Sequence, residues 1–269
     1  MEALISSSLT IDYSDTGSGR PLVLLHAFPC TRELWAGQIA EFSGSLRVIA
    51  PNLRGFDGTS PFGDDVPSIE TMAGDVAALL DNLKIEEPII LGGLSMGGYT
   101  ALAFARLFPE RLAGLILADT KAEPDDDAGK AVRAQMIALA RTNGGLAVAE
   151  NFLPKLVGPA TLAANGEPVA LVRLWGGRQP VGTITGALAA LRDRPDSLPY
   201  LAAIEVPTLV IGGELDPITP PLVMAGLAAA IPNARHVVIP GAGHLANLEQ
   251  PEAFDGAVWE FLQQFVSAA

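Results

Sequence analysis

The feature that most restricts the fold of this 269-residue chain is an alternation of two kinds of segment. Short runs rich in β-branched residues are separated by longer stretches rich in Ala and Leu. Several short runs, such as Leu22 to Leu25, are apolar at every position, which is typical of strands covered on both faces. This alternation predicts an α/β fold with a mostly parallel central sheet flanked by helices.

The predicted elements follow directly from that pattern. The strands are Leu9–Ser14, Pro21–His26, Arg47–Ala50, Pro88–Leu91, Leu112–Ala118, Pro207–Gly212 and His236–Pro240. The helices that flank them are Arg32–Phe42, Ser68–Leu83, Gly97–Phe108, Pro221–Ala230 and Pro251–Val266.

One region interrupts the alternation. From about Ala122 to Tyr200 the chain has helical pieces with Gly and Pro breaks, but no strand pattern. We expect residues 122–200 to form a helical cap, inserted between two strands of a core built from residues 1–121 and 201–269. An insertion at the carboxyl edge of a sheet tends to cover the crevice where ligands bind.

The strongest chemical motif is the pentapeptide Gly93-Leu94-Ser95-Met96-Gly97. It follows a predicted strand and opens a predicted helix, which is the context of a nucleophile elbow. A Ser in so sharp a turn has a strained backbone, and small neighbours are needed to avoid clashes. The hydroxyl is then held at a helix N-terminus, where developing negative charge is favoured. Ser95 is therefore the candidate nucleophile.

With this motif and four more, the chain resembles the α/β-hydrolase superfamily over nearly its whole length. The four are the loop His26-Ala27-Phe28-Pro29, the loop Asn52 to Ser60, the loop Gly213-Glu214-Leu215-Asp216-Pro217 and the loop Gly241-Ala242-Gly243-His244. The sequences of these motifs are most similar to those of enol-lactonases of the 3-oxoadipate type and of small bacterial carboxylesterases. Cofactor-free haloperoxidases share much of the same set.

A nucleophilic Ser needs a base and an acid that orients the base. Of the three histidines, His244 lies in a Gly-rich loop after a predicted strand, whereas His236 starts that strand. His244 is therefore the candidate base. The resemblance implies Asp216 as the acid, because the chain order Ser, Asp, His belongs to this fold. Asp119 is the alternative acid, since it also ends a strand and some superfamily members place the acid there.

The resemblance also implies the groups that surround the reaction. The backbone N–H groups of Phe28 and Met96 are the expected oxyanion hole, the donors that stabilise the negative oxygen of a tetrahedral intermediate. Family members usually use the ring equivalent to His26 to hold the oxyanion loop. His26 and Trp35 are also candidates for lining the substrate pocket.

Composition excludes several functional classes. The formal charge of −13 disfavours nucleic acid and anionic membrane surfaces as partners. It also disfavours strongly anionic substrates, although one local Arg could override the global field. Cys30 is the only cysteine, so no internal disulfide or thiolate metal cluster can form. The sequence has no apolar run long enough for a membrane span and no export signal at its start, which predicts a cytoplasmic protein.

The expected reaction is hydrolysis of a small carboxylic ester through an acyl-enzyme, with no metal or organic cofactor. A lactone substrate and perhydrolase activity are the alternatives. A lyase or oxygenase that reuses the triad, or a non-catalytic binding protein on the same fold, is a hypothesis of a different class. The sequence leaves the oligomeric state open.

Overall fold

The computed structural model describes residues 1–6, 8–63 and 66–266. Residues 7, 64, 65 and 267–269 lie outside the described residues, so the predicted core ranges 1–121 and 201–269 are described without them. Within the described ranges, no helix is both long and apolar enough to cross a bilayer.

Eight strands form one sheet at the centre of the molecule. They are β1 Glu2–Ser6, β2 Leu9–Thr16, β3 Pro21–Leu25, β4 Arg47–Pro51, β5 Ile89–Leu94, β6 Leu112–Ala118, β7 Thr208–Gly213 and β8 Ala234–Ile239. Their spatial order is β1-β2-β4-β3-β5-β6-β7-β8. The pairings of β1 with β2 and of β2 with β4 are antiparallel, and all the others are parallel. The α/β fold with a mostly parallel sheet is therefore confirmed.

Strand β1 is the one strand of the described sheet that the sequence pattern did not predict. Its outward side chains include Leu4, which is 68% exposed, while Ala3 points into the core. Ile5 is partly buried against the same core, so the inward side of the strand is apolar, but the exposed Leu4 hides the alternation that a half-buried strand normally shows. Antiparallel pairing with β2 and the burial of Ala3 hold this segment extended at the edge of the sheet.

Successive residues of a strand face opposite sides of the sheet, and helices cover both of these sides. The flanking helices are α1 Ala36–Phe42, α2 Ile69–Asn82, α3 Met96–Leu107, α8 Pro221–Ala230, α9 Ala246–Glu249 and α10 Pro251–Leu262. Val23 and Leu25 belong to one core, which also contains residues of α2 and α3, whereas Leu22 and Leu24 belong to a second core with α1 and α10. Short 3-10 helices lie at Arg32–Trp35, Pro109–Arg111, Leu198–Ala203 and Gln263–Phe265.

Four further helices, which we call the inserted helices, lie between β6 and β7. They are α4 Asp127–Leu156, α5 Pro159–Ala164, α6 Glu167–Arg178 and α7 Val181–Arg192. Helix α4 is broken at Gly144, whose φ of 81° is outside the helical range. Gly145 next to it packs so closely on the carbonyl of Gly176 that a Cβ would lie 2.3 Å from that oxygen. The break therefore lets α4 turn and pack against α6.

A polar cluster fastens the inserted helices to the core. Asp57 accepts hydrogen bonds from Arg178 and, at 2.7 Å, from the Gln179 side chain. Thr183 donates at 2.6 Å to the carbonyl of Gly55. Asp57 has a φ of 26°, and it occupies a loop position where the superfamily usually has Gly. Its carboxylate thus has a structural use that offsets the strain of the backbone.

The order of the strands indicates which edge of the sheet is suited to ligand binding. Strand order reverses at β3, with β4 on one side and β5 on the other. The loops after β3 and β5 therefore diverge at a switch point, where open α/β sheets bind their ligands. Phe28 and Ser95 stand in these two loops.

Candidate active site

The turn between β5 and α3 holds Ser95 in an unusual conformation. Its φ is 54° and its ψ is −108°, a region that a residue with a Cβ rarely adopts. Its N–H donates at 2.9 Å to the carbonyl of Ala118, and its own carbonyl accepts from Thr120 at 3.0 Å and from the N–H of Tyr99 at 3.0 Å. These bonds compensate for the strain of the turn.

The glycines around Ser95 are required by close backbone contacts. A Cβ on Gly93 would lie 2.1 Å from the carbonyl oxygen of Gly97, and a Cβ on Gly97 would lie 2.1 Å from that of Leu25. Neither contact is possible for a larger residue without moving the backbone. The glycines at the two ends of the motif are therefore required by the close packing of the turn, including its packing against β3.

Two loops at the same edge of the sheet bring His244 and Asp216 together. The distance between His244 Nδ1 and Asp216 Oδ2 is 2.7 Å, and both side chains are almost fully buried. In the neutral ring Nδ1 is then the donor, and Nε2 keeps a lone pair that can accept a proton.

Asp216 is held as a carboxylate by four donors. Its Oδ1 accepts from the N–H groups of Ile218 at 2.7 Å and Thr219 at 3.1 Å, while its Oδ2 accepts from the Thr219 hydroxyl and from His244. Burial acts to raise the pKa of Asp216, but the His244 charge and these hydrogen bonds outweigh it and lower the pKa to about 2. Asp216 is therefore ionised at neutral pH.

Ser95 and His244 line the same cavity, which has a volume of about 290 Å³. Its wall also contains Phe28, Tyr99, Asp125, Gly129, Val132, Arg133, Phe152, Lys155, Leu156, Leu191, Pro217 and Ile218. In the described part of the chain no hydrogen bond joins Ser95 Oγ to His244. Such contacts often tighten only when a substrate is bound. The two residues share access to one cavity.

The expected oxyanion donors stand beside this cavity. Met96 is the first residue of α3, so its N–H has no partner inside the helix. Phe28 lines the cavity, and none of the hydrogen bonds among the described residues uses its N–H. The two N–H groups are thus free to bind a ligand oxygen.

Asp119, the alternative acid, is placed differently. It is fully buried after β6, and its Oδ1 accepts from the N–H of Gly213 at 2.8 Å. Burial and then the negative charge of Asp216 raise the pKa of Asp119 well above its ordinary value. Its contacts do not include a hydrogen bond to His244 among the described residues. A carboxyl group that is harder to ionise and lacks that bond is a less suitable partner than Asp216 for an imidazolium ion.

Asp119, Asp216 and His244 could also be considered as metal ligands, because one donor atom from each lies within 4.8 Å of the others. Two of these donors already bond to each other, since His244 Nδ1 is directed at Asp216. Coordination of a cation through Nδ1 would break this hydrogen bond. The donor set therefore fits proton transfer better than metal binding.

Two residues predicted to line the pocket lie elsewhere. His26 is fully buried, its Nε2 accepts from the N–H of Leu53 at 3.0 Å, and its Nδ1 lies 3.0 Å from the carbonyl of Ala27. Trp35 is 2% exposed and packs against Phe254. Neither ring lines the cavity that contains Ser95 and His244, because their loop turns both rings into the core. The position of His26 fits the loop-holding role that the resemblance implied.

The base loop is joined to the inserted helices by a residue that sequence reasoning missed. Glu249 accepts a hydrogen bond of 2.7 Å from the N–H of Gly243 and another of 2.7 Å from the N–H of Gly158. The N–H of Leu245 also donates to the carbonyl of Leu156 at 2.9 Å. The loop that carries His244 is thus fixed to the end of α4. No signal in the sequence pairs residues so far apart.

With this geometry established, comparison with known proteins is informative. A family model described as the alpha/beta hydrolase fold matches residues 20–251. The chain belongs to the α/β-hydrolase fold family. Its assignment as an enzyme of this superfamily follows from the same match and from the relatives below.

Three relatives show how closely the family matches. The chain is 30% identical to 3-oxoadipate enol-lactonase 2 of Acinetobacter baylyi, with 98% of this chain and 97% of the relative covered. It is also 30% identical to a putative non-heme bromoperoxidase of Mycobacterium tuberculosis, with 94% and 97% covered. The solved malate-bound structure of a thermophilic esterase from Thermogutta terrifontis is 40% identical with a TM-score of 0.92, covering 96% of this chain and 95% of that one.

The buried His26 makes the stability of this α/β-hydrolase depend on pH. Burial lowers the pKa of His26 from 6.5 to about 4. The unfolded chain therefore takes up a proton at a higher pH than the folded chain. The contribution of neutral His26 to the free energy of unfolding is fully present above pH 6.5, declines as the pH falls, and is lost below about pH 4. We expect a loss of about 3 kcal/mol in the free energy of unfolding from this group.

His26→Gln tests this, because the Gln oxygen can still accept from Leu53 but does not titrate. Urea unfolding at pH 7 and pH 4.5 should give a smaller loss of stability for His26→Gln than for the wild type. His236→Gln is the control, since His236 is only half-buried. Equal losses in His26→Gln and wild type would contradict the account.

Proposed function

We propose that this α/β-hydrolase is a serine carboxylesterase that acts on small esters, with Ser95 as nucleophile, His244 as base and Asp216 as acid. The observation that carries the proposal is the shared cavity of Ser95 and His244, together with the 2.7 Å bond from His244 to an ionised Asp216. The strained Ser95 backbone supports it, because strain of this kind is retained where function requires it.

The proposed reaction has two acyl-transfer steps. His244 Nε2 takes the proton of the Ser95 hydroxyl as its oxygen attacks the substrate carbonyl, and then gives this proton to the leaving alcohol. Water, deprotonated by the same ring, releases the acid and restores Ser95. The N–H groups of Met96 and Phe28 bind the carbonyl oxygen while it is negative. Each such donor contributes about 3 kcal/mol to stabilising the transition state.

The inserted helices are proposed to act as the cap over this site. Arg133, Phe152 and Leu156 of α4 form part of the cavity wall, which supports a role in selecting substrates. A protein that presents its nucleophile under such a wall acts on a small molecule. A cytoplasmic location stays a prediction.

An ester is proposed in preference to a lactone because the esterase relative is the more similar of the two, at 40% against 30% identity. A lactone is the second candidate, because the enol-lactonase relative matches over the whole length of both chains. The bromoperoxidase relative makes perhydrolysis a side reaction to measure on the same acyl-enzyme.

The first test is the nucleophile. Ser95→Ala should lower the rate of 4-nitrophenyl acetate hydrolysis by about a million-fold, because no other group can form the acyl-enzyme. A fluorophosphonate probe should label the wild type but not Ser95→Ala, as read by intact mass. Ser45→Ala, which changes an exposed serine, should behave like the wild type. Retained turnover in Ser95→Ala would exclude Ser95 as the nucleophile, and absent turnover in the wild type would exclude the esterase.

The second test separates the two candidate acids. Asp216→Asn should reduce kcat about ten-thousand-fold, because the amide cannot favour the correct ring tautomer or stabilise the imidazolium. Asp119→Asn should have less than about a ten-fold effect, since Asp119 forms no hydrogen bond to His244 among the described residues and its contact is with the N–H of Gly213. The two variants are measured side by side with 4-nitrophenyl acetate. A larger loss in Asp119→Asn would transfer the role to Asp119.

A further inference from the structure

The wall of the candidate active-site cavity is positively charged, although the chain as a whole carries −13. Its charged members, apart from the reacting groups, are Asp125, Arg133 and Lys155. Arg194 lies behind the wall and forms an ion pair of 2.7 Å with Asp125. Two of these cations, Arg133 and Arg194, pair with the single carboxylate of Asp125, and Lys155 is a further cation in the wall.

Asp125 is shared, so it does not neutralise the wall. It accepts from Arg133 Nε at 3.0 Å and pairs with Arg194 on its other oxygen. Burial acts to raise the pKa of Asp125, but the charges of Arg133 and Arg194 outweigh it and lower the pKa. The carboxylate thus remains ionised between two guanidinium groups, and one positive charge is left over from this triplet.

Arg133 is held in place, with hydrogen-bonding capacity to spare. Its guanidinium lies 5.8 Å from the ring centroid of Phe152, and that ring packs edge-on against Phe28 with 5.6 Å between centroids. Only Nε is used by Asp125; no described residue accepts a hydrogen bond from the two terminal nitrogens. Two ring contacts therefore connect this cation to the loop of the candidate oxyanion hole.

Lys155 adds a second available charge. It is exposed at the end of α4, and no described residue forms an ion pair with it. In a straight helix, Arg133 and Lys155 would be about 33 Å apart. The break of α4 at Gly144 allows both side chains to line one cavity. The backbone conformation thus gathers two cations beside Ser95.

We propose that the cavity binds an ester or lactone whose acyl part also carries a carboxylate, recognised by Arg133 and Lys155. The proposal rests on the proposed function, because it places the reacting carbonyl at Ser95. An Arg fork with free nitrogens is suited to a carboxylate, and Lys adds a point charge. A carboxylate a few carbon atoms from the carbonyl would reach from the Phe28 loop to these cations.

The experiment compares two substrates of the same shape. Phenyl hydrogen glutarate carries the carboxylate, and phenyl glutaramate replaces it with a neutral amide. The wild type should have a kcat/KM about ten-fold higher for the anion at low salt. This ratio should fall toward one in 1 M NaCl, where the Debye length is about 3 Å. Equal or better hydrolysis of the amide at low salt would overturn the proposal.

Variants then assign the effect to the cavity wall. Lys155→Met should lower the ratio of kcat/KM for the anion to kcat/KM for the amide about five-fold, since the variant removes a positive charge that favours only the anion. Lys155→Glu should lower the ratio further. Lys130→Met is the matched control, because Lys130 is an exposed residue of the same helix that does not line the cavity. An unchanged ratio in Lys155→Met, or an equal change in Lys130→Met, would overturn the proposal.

Failure of the esterase function can be distinguished from failure of this proposal. If neither phenyl ester is hydrolysed, the proposed function fails. Binding measurements then test whether the cavity prefers an anionic ligand to a neutral one. Monomethyl glutarate and methyl glutaramate are titrated into the full chain and followed by NMR. Tighter binding of the anion that is lost in Lys155→Met supports the cationic wall. Equal binding of the two ligands contradicts it.

Discussion

The contact between the elbow and β3 is the constraint on which the site depends. Gly97 lies so near the carbonyl of Leu25 that no side chain fits between them. This contact places the start of α3 directly beside the loop that leaves β3. Main-chain packing therefore sets the turn that carries Ser95 and Met96 beside the loop that carries Phe28, and Ser95 and Phe28 line one cavity.

The pKa values of two buried aspartates at the same edge are shifted in opposite directions by their surroundings. Asp216 has four donors and becomes a strong acid, whereas Asp119 has one main-chain donor, is fully desolvated and faces a negative neighbour. Like charges in a buried site cannot both be ionised cheaply. The pair therefore leaves one carboxylate to hold His244. The His244 loop in turn is fixed to α4 through Glu249, so the inserted helices help to set the position of the ring.

The sequence predicted those parts of the molecule that local patterns encode. Strands such as β3 are apolar at every position because helices cover both faces. The glycines around Ser95 are required because a side chain there would clash with neighbouring backbone. Strand β1 lacks a clear alternation because the apolar Leu4 points outward. The direction in which a loop turns the rings of His26 and Trp35 depends on tertiary packing, which spacing in the sequence does not reveal. Thr219 follows Asp216 by three residues, a spacing that allows its hydroxyl to reach the carboxylate.

The cavity wall lay beyond sequence reasoning for a different reason. Arg133 and Lys155 share a wall only because α4 breaks at Gly144 and folds back against α6, and a helical pattern does not show where a helix will dock. The catalytic roles themselves remain predictions built on this geometry. They explain why the strain at Ser95, the buried hydrogen bond of His244 and the free N–H groups occur at one place.

The most direct test of the central claim is a crystal structure of the protein after reaction with a methyl phosphonate ester. We predict a covalent bond from phosphorus to Ser95 Oγ, a phosphoryl oxygen within hydrogen-bonding distance of the N–H groups of Met96 and Phe28, and His244 Nε2 beside the Ser95 oxygen. Modification at another residue, or an adduct on Ser95 with His244 remote from it, would contradict the account.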